Sequence, residues 1–211
     1  MELKTIKLFT FEELEETIKK KIINQEKDAL IEMRGDYLSD ELYCQCFDKY
    51  KIDCKNLDLN YSFSYSQGDG VSFEMDEVLN YDNIKNNKDL TVFDDYIIKT
   101  YKNTDLFDEV LEIIENINFK IERINTYYSH KFTCKMYWNE KEENSSFYLN
   151  QDFINKIKND LYNIYKEVCD YLEEFGYSFL EISDDEVVEY LKDEDDLYFK
   201  NGDVYSEAIY E

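Results

Sequence analysis

Five cysteines and one histidine are the residues of this chain that a structural zinc site would use. Cys44, Cys46 and Cys54 lie within eleven positions, but the spacing C-x-C-x7-C lacks a paired C-x-x-C. His130 is far away in sequence, and structural zinc takes four Cys or His ligands at closer spacings. We therefore predict no metal site and no other cofactor, and we interpret these cysteines as small buried apolar residues.

His130 is also the side chain best suited to proton transfer near neutral pH. It follows Tyr127, Tyr128 and Ser129, and the two tyrosines could flank a ligand. No nucleophile elbow or comparable motif accompanies it, and carboxylate pairs are too numerous to be informative. The sequence therefore predicts no enzyme, with a small hydrolase using His130 kept as an alternative.

The segment Ser-Gln-Gly-Asp-Gly at residues 66–70 is the most distinctive motif. Two glycines around an aspartate could direct backbone N–H groups at an anion, yet no helix with a nearby Lys or Arg follows, as a phosphate site requires. The motif also lacks the alternating acidic ligands of a calcium loop. We interpret Gln67, Gly68, Asp69 and Gly70 as a turn in which a glycine supplies positive φ, with a functional loop as the alternative.

The carboxylates near the C-terminus indicate a binding surface more strongly than the glycine-rich motif does. Residues 181–211 contain twelve Asp and Glu against Lys192 and Lys200. Duplex DNA carries one negative charge per roughly 1.7 Å of axis, and a helix with a strand could present carboxylates at a comparable density. The predicted partner-binding residues are Asp184, Asp185, Glu186, Glu189, Asp193, Glu194, Asp195 and Asp196. The alternative is a solvated acidic face that serves solubility alone.

The whole chain is strongly acidic, with a formal net charge of -25 over 211 residues. Direct binding to nucleic acid or to an anionic membrane depends on Lys and Arg patches, and none is evident. No apolar run reaches the roughly 18 residues of a membrane span, and residues 1–10 lack the apolar core of a signal peptide. An odd number of scattered cysteines indicates reduced thiols, so we expect a cytoplasmic protein.

The first fifty residues predict one strand and two helices. Residues 3–9 alternate as a short strand, and Thr10 with Glu13 has capping-box spacing for a helix that begins near Phe11. Gly35 separates that helix from a second one over residues 39–50. The second helix is expected to direct three side chains inward, namely Leu42, Cys46 and Phe47.

The middle of the chain indicates an antiparallel sheet. Residues 57–65 alternate apolar and polar side chains and lead through the glycine-rich motif into a second strand at 71–73. Residues 80–89 are predicted as a loop and residues 106–117 as a helix capped by Thr104 or Asp105. Further strands are expected at 119–124, 131–138 and 146–149, with a hairpin tip at 139–144.

The last third predicts two helices and a hairpin. A long helix at 152–175 is expected to stop at Gly176, and Ser183 with Glu186 repeats the capping box for a short helix through Leu191. Asn201-Gly202 predicts the turn of a hairpin over residues 197–210. The fold class is α+β, with an antiparallel sheet packed against several amphipathic helices, in one domain over residues 1–211 that ends in an acidic helix-hairpin region at 181–211.

Several of these segments resemble a family of small acidic proteins encoded by phages and prophages, some labelled antitoxin-like. The landmarks, in chain order, are Lys-Thr-Ile-Lys-Leu at 4–8, Phe-Glu-Glu-Leu at 11–14, the motif at 66–70 with Phe73, Tyr-Tyr-Ser-His at 127–130, Tyr171-Leu172 and Ser-Asp-Asp-Glu at 183–186. The resemblance implies an accessory protein of a mobile element, and such proteins often block host defence.

These observations lead to three functional hypotheses. The first is a non-enzymatic inhibitor of a bacterial defence nuclease, of anti-CRISPR or anti-restriction type, whose carboxylates occupy the basic nucleic-acid site of an effector such as a Cas nuclease. The second is an antitoxin or other interaction module that binds through Tyr and Phe. The third is the hydrolase using His130.

Overall fold

The protein has an α+β fold, as the sequence predicts, and its helical part is larger than its strands. The computed structural model describes residues 7–141 and 150–205. These residues form two compact units: a terminal unit within residues 7–38 and 178–205, and a central unit within residues 39–141 and 150–177. The prediction of one domain remains a prediction.

The terminal unit contains a two-stranded antiparallel pair, a 3-10 helix (Phe11–Glu13) and parts of three α-helices. Strand β1 (Phe9–Thr10) pairs with β6 (Leu197–Tyr198), and the short helix α6 spans Asp184–Asp193. Of the predicted strand at 3–9, residues 1–6 lie outside the described residues and only Phe9 is in β1. The core contains Phe11, Leu14, Ile22, Ile182, Val187, Leu191 and Tyr198.

Helix α1 (Glu16–Tyr50) is one continuous helix, so the predicted interruption at Gly35 is wrong. Gly35 is exposed, and a Cβ added there would meet nothing within 4 Å. The buried residues Leu38, Leu42 and Cys46 continue the apolar face, and that burial outweighs the helix-breaking tendency of one glycine. The predicted inward position of Phe47 is also wrong, because 55% of this side chain is exposed.

The sheet of the central unit consists of two hairpins, both predicted in outline. Strand β2 (Asp58–Ser62) pairs with β3 (Gly70–Glu74), and β4 (Ile117–Arg123) pairs with β5 (Cys134–Glu140). Backbone hydrogen bonds between Met75 and Ile121 connect the two hairpins. The turn between β4 and β5 therefore lies at residues 124–133. The predicted strand at 146–149, and most of the predicted tip at 139–144, lie outside the described residues.

Helices α2 (Tyr81–Asn86), α3 (Val92–Tyr101) and α4 (Phe107–Asn116) also belong to the central unit. The predicted loop at 80–89 is wrong, since α2 occupies most of it. Asn80 caps α2 by accepting the N–H of Asn83, and the buried Asp94 carboxylate accepts the N–H of Asn80. This capping allows a short Asn-rich and Asp-rich segment to be helical.

Helix α5 (Gln151–Leu180) runs past the predicted stop at Gly176. Gly176 is buried, and a Cβ there would lie 2.2 Å from Cζ of Phe63. The glycine serves the close approach of an aromatic ring and does not end the helix. The buried side of α5 includes Ile157, Leu161 and Leu172, as the periodicity predicts.

The two helical glycines should respond in opposite directions to alanine. We expect Gly35→Ala to raise the free energy of unfolding by about 0.5–1 kcal/mol, because an exposed helical glycine is entropically costly. Gly176→Ala should lower it, because the added methyl would overlap Phe63. Chemical denaturation of both variants measures this difference, and a stabilised Gly176→Ala would contradict the packing described here.

Candidate functional site

Helix α6 carries most of the predicted partner-binding carboxylates, and Arg34 of α1 holds its first turn. The guanidinium Nη1 donates to the carbonyl oxygens of Phe179 at 3.0 Å and Glu181 at 2.9 Å, and Nη2 lies 3.3 Å from Glu186. Lys27 forms a second bridge to Asp184 at 2.9 Å. Together with the burial of Val187 and Leu191, these contacts define one orientation of the helix within the terminal unit.

Two of the eight predicted carboxylates are therefore engaged inside the protein. Glu186 also accepts the backbone N–H of Ser183 at 2.8 Å and its hydroxyl at 2.9 Å, which completes the predicted capping box. These hydrogen bonds, followed by the contact with Arg34, lower the pKa of Glu186 below its ordinary value. Asp184 and Glu186 thus have structural partners that explain them without an external ligand.

The other six predicted carboxylates are all exposed and have no cationic partner among residues 7–141 and 150–205. Asp185, Glu189 and Asp193 follow an i, i+4, i+8 pattern on α6, so they lie on one side at steps of about 6 Å along the axis. Val187 and Leu191 of the same helix are buried. Beyond the helix, Glu194, Asp195 and Asp196 continue the series up to β6. We call these six residues the acidic surface.

The helix dipole separates the two ends of α6. Carboxylates in the first turn interact favourably with the positive end of the helix, whereas Asp193 and Glu194 lie at the negative end. Lys192, the basic residue in that last turn, pairs with Glu12 at 3.0 Å. Carboxylates at the C-terminal end therefore reduce the stability of the helix that carries them.

Asp195 adds a second local cost. It has φ of +54°, in the left-handed region, at the position after the C-cap where glycine or asparagine is usual. The carboxylate is exposed and unpaired among the described residues, so folding alone does not explain the choice of Asp there.

The glycine-rich motif lies in the turn between β2 and β3, as predicted. The Asp69 carboxylate accepts hydrogen bonds from the hydroxyls of Ser62, Ser64 and Ser66 at 2.8–3.0 Å and from the Ser66 N–H at 2.8 Å. Burial would raise the pKa of Asp69, but these hydrogen bonds outweigh burial and lower the pKa to about 2. Asp69 therefore closes the turn, and its oxygens are already occupied. Gln67 is exposed beside it.

Both glycines of the motif contact the segment Tyr127–His130, which sequence reasoning did not connect with it. Gly68 has φ of +104°, and a Cβ there would lie 2.0 Å from the Tyr128 ring. Gly70 has φ of +137°, and its Cβ would lie 3.1 Å from Cα of His130. The carbonyl of Gly68 accepts the N–H of Ser129 at 3.1 Å. The glycines allow two distant segments to pack closely.

A row of four aromatic rings, three of them exposed, includes the residues of this contact. Tyr127, Tyr128, His130 and Phe132 follow each other with ring centroids 4.9–5.9 Å apart. Tyr127 and Phe132 are 84% and 61% exposed, which is unusual for large aromatic side chains. We call these four residues the aromatic row. No sequence signal predicted their exposure, because alternation and composition do not show which ring a turn leaves uncovered.

Among the described residues, His130 lacks the hydrogen-bonded nucleophile that nucleophilic catalysis requires. Its Nδ1 accepts the N–H of Phe132 at 3.2 Å, and its ring stacks on Tyr128. Within the described residues, no Ser, Thr or Cys side chain forms a hydrogen bond with this imidazole. The arrangement holds the 130–133 turn in place, and the hydrolase hypothesis gains no support from it.

The cysteines are free thiols in different environments. Cys46 is buried, and burial raises its pKa to about 12, so its thiol is unreactive near neutral pH. Cys44 and Cys54 are exposed, which corrects their interpretation as buried apolar residues. In the described part of the chain, no group of three or more His, Cys, Asp or Glu side chains could hold a metal ion.

Within residues 7–141 and 150–205, none of the helices combines the length and apolar character needed to cross a bilayer. Comparisons with protein families, with curated proteins and with solved structures found no match to this chain.

Removing the charges at the C-terminal end of α6 should stabilise the terminal unit. We expect the double variant Asp193→Asn, Glu194→Gln to melt at a higher temperature, since each unfavourable dipole contact costs about 0.3–1 kcal/mol. Asp184→Asn is the matched control at the other end and should lower the melting temperature, because it removes a favourable dipole contact and the bridge to Lys27. Thermal denaturation at low salt measures both, and equal shifts would contradict the dipole argument.

Asp69 should contribute to stability in a pH-dependent way. Its pKa is lowered from 3.8 to about 2 on folding, so its contribution is complete above pH 4 and is lost as the pH falls through 2. The difference in unfolding free energy between the parent protein and Asp69→Asn should therefore shrink between pH 5 and about pH 2. Urea denaturation at several pH values tests this, and a constant difference would show that Asp69 does not act through its charge.

Proposed function

We propose that this protein is a non-enzymatic inhibitor of a bacterial defence nuclease, of anti-CRISPR or anti-restriction type. The acidic surface would occupy the basic groove in which the nuclease binds nucleic acid. The observation that carries the proposal is the set of exposed carboxylates at the end of α6 and after it, which have no cationic partner among the described residues and which reduce local stability. Selection for folding alone would not place them there.

The anchoring of α6 supports the proposal. A helix fixed by Arg34, Lys27 and two buried apolar residues presents its carboxylates in one arrangement before it meets a partner. Preorganisation of this kind reduces the conformational entropy lost on binding. Because Asp184 and Glu186 are engaged inside the protein, we propose that six of the eight predicted carboxylates, those of the acidic surface, contact the partner.

The charge of the whole chain supports the same partner class. A net charge of -25 attracts a basic groove over long range and speeds association at low salt. The resemblance to phage and prophage proteins agrees with a target in host defence. The partner would be a nucleic-acid-binding effector such as a Cas nuclease, and the protein would act in the cytoplasm of the bacterial host.

A second candidate function, an antitoxin or other interaction module, is favoured by the aromatic row. Exposed rings of this size bind through apolar area, so complex formation should persist at high salt. Binding through the acidic surface should instead weaken steeply as salt rises. The salt dependence therefore separates the two candidates.

Reversing four carboxylates of the acidic surface should abolish inhibition. We expect the parent protein to displace labelled duplex DNA from one or more members of a panel of purified Cas effectors and restriction nucleases, with affinity falling as salt increases. Asp193, Glu194, Asp195 and Asp196 changed to Lys should weaken displacement by at least about a hundredfold, since like charges then face each other. Fluorescence anisotropy of the DNA is the measurement.

The matched control changes four exposed carboxylates of the central unit to Lys and alters the net charge equally: Asp105, Glu112, Glu115 and Glu174. This variant should retain most of the inhibition. An equal loss in both variants would show that total charge, and not the acidic surface, is responsible. Absence of displacement from every nuclease in the panel would remove the proposed function.

A further inference from the structure

A cavity of about 120 Å³ lies within the terminal unit, between α1, the end of α6 and the C-terminal hairpin. Three carboxylates line it: Glu26 of α1 together with Glu194 and Asp196. Tyr190 supplies an aromatic wall, and Tyr198 also lines the cavity. The cavity therefore combines negative charge with flat apolar surfaces.

The three carboxylates are not neutralised within the described part of the chain. None of them forms an ion pair with a Lys or Arg of residues 7–141 or 150–205. Their charge raises the pKa of Tyr190, with Glu194 as the largest cause. Burial and then Asp196, Glu26 and Glu194 raise the pKa of Tyr198, which places its hydroxyl within their field.

Tyr198 supports a ligand in this cavity independently of the carboxylates. Its side chain is only 1% exposed, and its ring packs against Phe11 in the core. Its hydroxyl has no hydrogen-bond partner among the described residues, although it belongs to a side chain that lines the cavity. The hydroxyl keeps contact with the space of the cavity, where it can accept an N–H from a ligand.

The hairpin turn forms a fixed wall of this cavity. Gly202 lines it with φ of +90°, and a Cβ there would lie 2.7 Å from Ile18 of α1. The turn therefore packs directly on α1, and the carbonyl of Leu197 accepts the N–H of Tyr205 at 2.7 Å to close the hairpin. The cavity is thus bounded by packed backbone.

We propose that this cavity receives the side chain of an arginine from the basic partner, an inference that rests on the proposed function. A guanidinium group offers five N–H donors in one plane, enough for carboxylates on several sides. It also stacks on aromatic faces, which a lysine ammonium does less well. Arginine is enriched among the residues that contribute most to interface affinity, so this cavity would be the strongest single contact of the acidic surface.

The probe for this proposal is N-acetyl-arginine methylamide, added to the full chain without any nuclease. NMR spectra of protein labelled on its tyrosine rings should show shifts confined to Tyr190 and Tyr198, which are assigned with Tyr190→Phe and Tyr198→Phe. The citrulline analogue has the same shape without the charge and should not bind. The lysine analogue should bind at least about tenfold more weakly.

Two variants with the same change in charge test whether the arginine probe binds in the cavity. The cavity variant carries Glu26→Gln, Glu194→Gln and Asp196→Asn, and it should weaken arginine binding at least about tenfold. The surface variant carries Asp185→Asn, Glu189→Gln and Asp193→Asn, and it should stay within about threefold of the parent. Tyr198→Phe, which removes only the hydroxyl, should also weaken binding, and circular dichroism checks that each variant is folded.

Several outcomes would overturn the proposal. Equal weakening in both triple variants, or shifts spread over many tyrosines, would mean a diffuse cation atmosphere. Equal affinity for the lysine analogue would remove the guanidinium assignment. Because no nuclease is present, these results are independent of the displacement assay: arginine binding without displacement would refute only the proposed function, and displacement without arginine binding would refute only the cavity.

Discussion

The contact of Arg34 with the junction between α5 and α6 is the interaction on which the acidic surface depends. One guanidinium binds the carbonyl oxygens of Phe179 and Glu181 and the carboxylate of Glu186, so it satisfies acceptors at the end of one helix and the start of the next. A strongly acidic segment would otherwise repel itself and its surroundings. The planar guanidinium, with five N–H donors, is well suited to bind several acceptors together.

The carboxylates at the two ends of α6 therefore have different roles. At the start of α6 they cap the helix, interact favourably with its dipole or pair with α1, and their presence follows from folding. At the end of α6 and after it they oppose the stability of the helix and have no cationic partner among the described residues. Stability that is given up locally is a common property of binding surfaces, and this asymmetry is more informative than the net charge of the chain.

The central unit shows a different relation between motif and structure. The sequence predicts the glycine-rich motif as a turn, and in the structure Asp69 accepts hydrogen bonds from three serines while the glycines make room for Tyr128 and His130. The glycine-rich motif and the segment Tyr127–His130, about sixty positions apart in sequence, therefore pack against each other. The exposed rings of the aromatic row, more than the motif itself, are what this feature presents to the outside.

The sequence by itself determined the α+β class, the β2–β3 hairpin and the Ser183 capping box, because period-two alternation and cap spacing act over a few residues. It also identified the acidic segment, since charge is a property of composition. It did not determine the continuity of α1 through Gly35, the passage of α5 through Gly176 or the helix α2. Those depend on burial of Leu42, on the ring of Phe63 and on capping by Asn80 and Asp94, which are long-range or cooperative contacts.

For the candidate site the same limit applies. Composition placed eight carboxylates together, but only tertiary structure decided that Asp184 and Glu186 face Lys27 and Arg34 while Glu194 and Asp196 meet Glu26 across a cavity. Glu26 lies about 170 positions earlier and stands in an ordinary amphipathic helix, so no local pattern marks it. Which charges are paired and which remain free depends on the packing of distant segments, and that packing is set by the burial of the whole core.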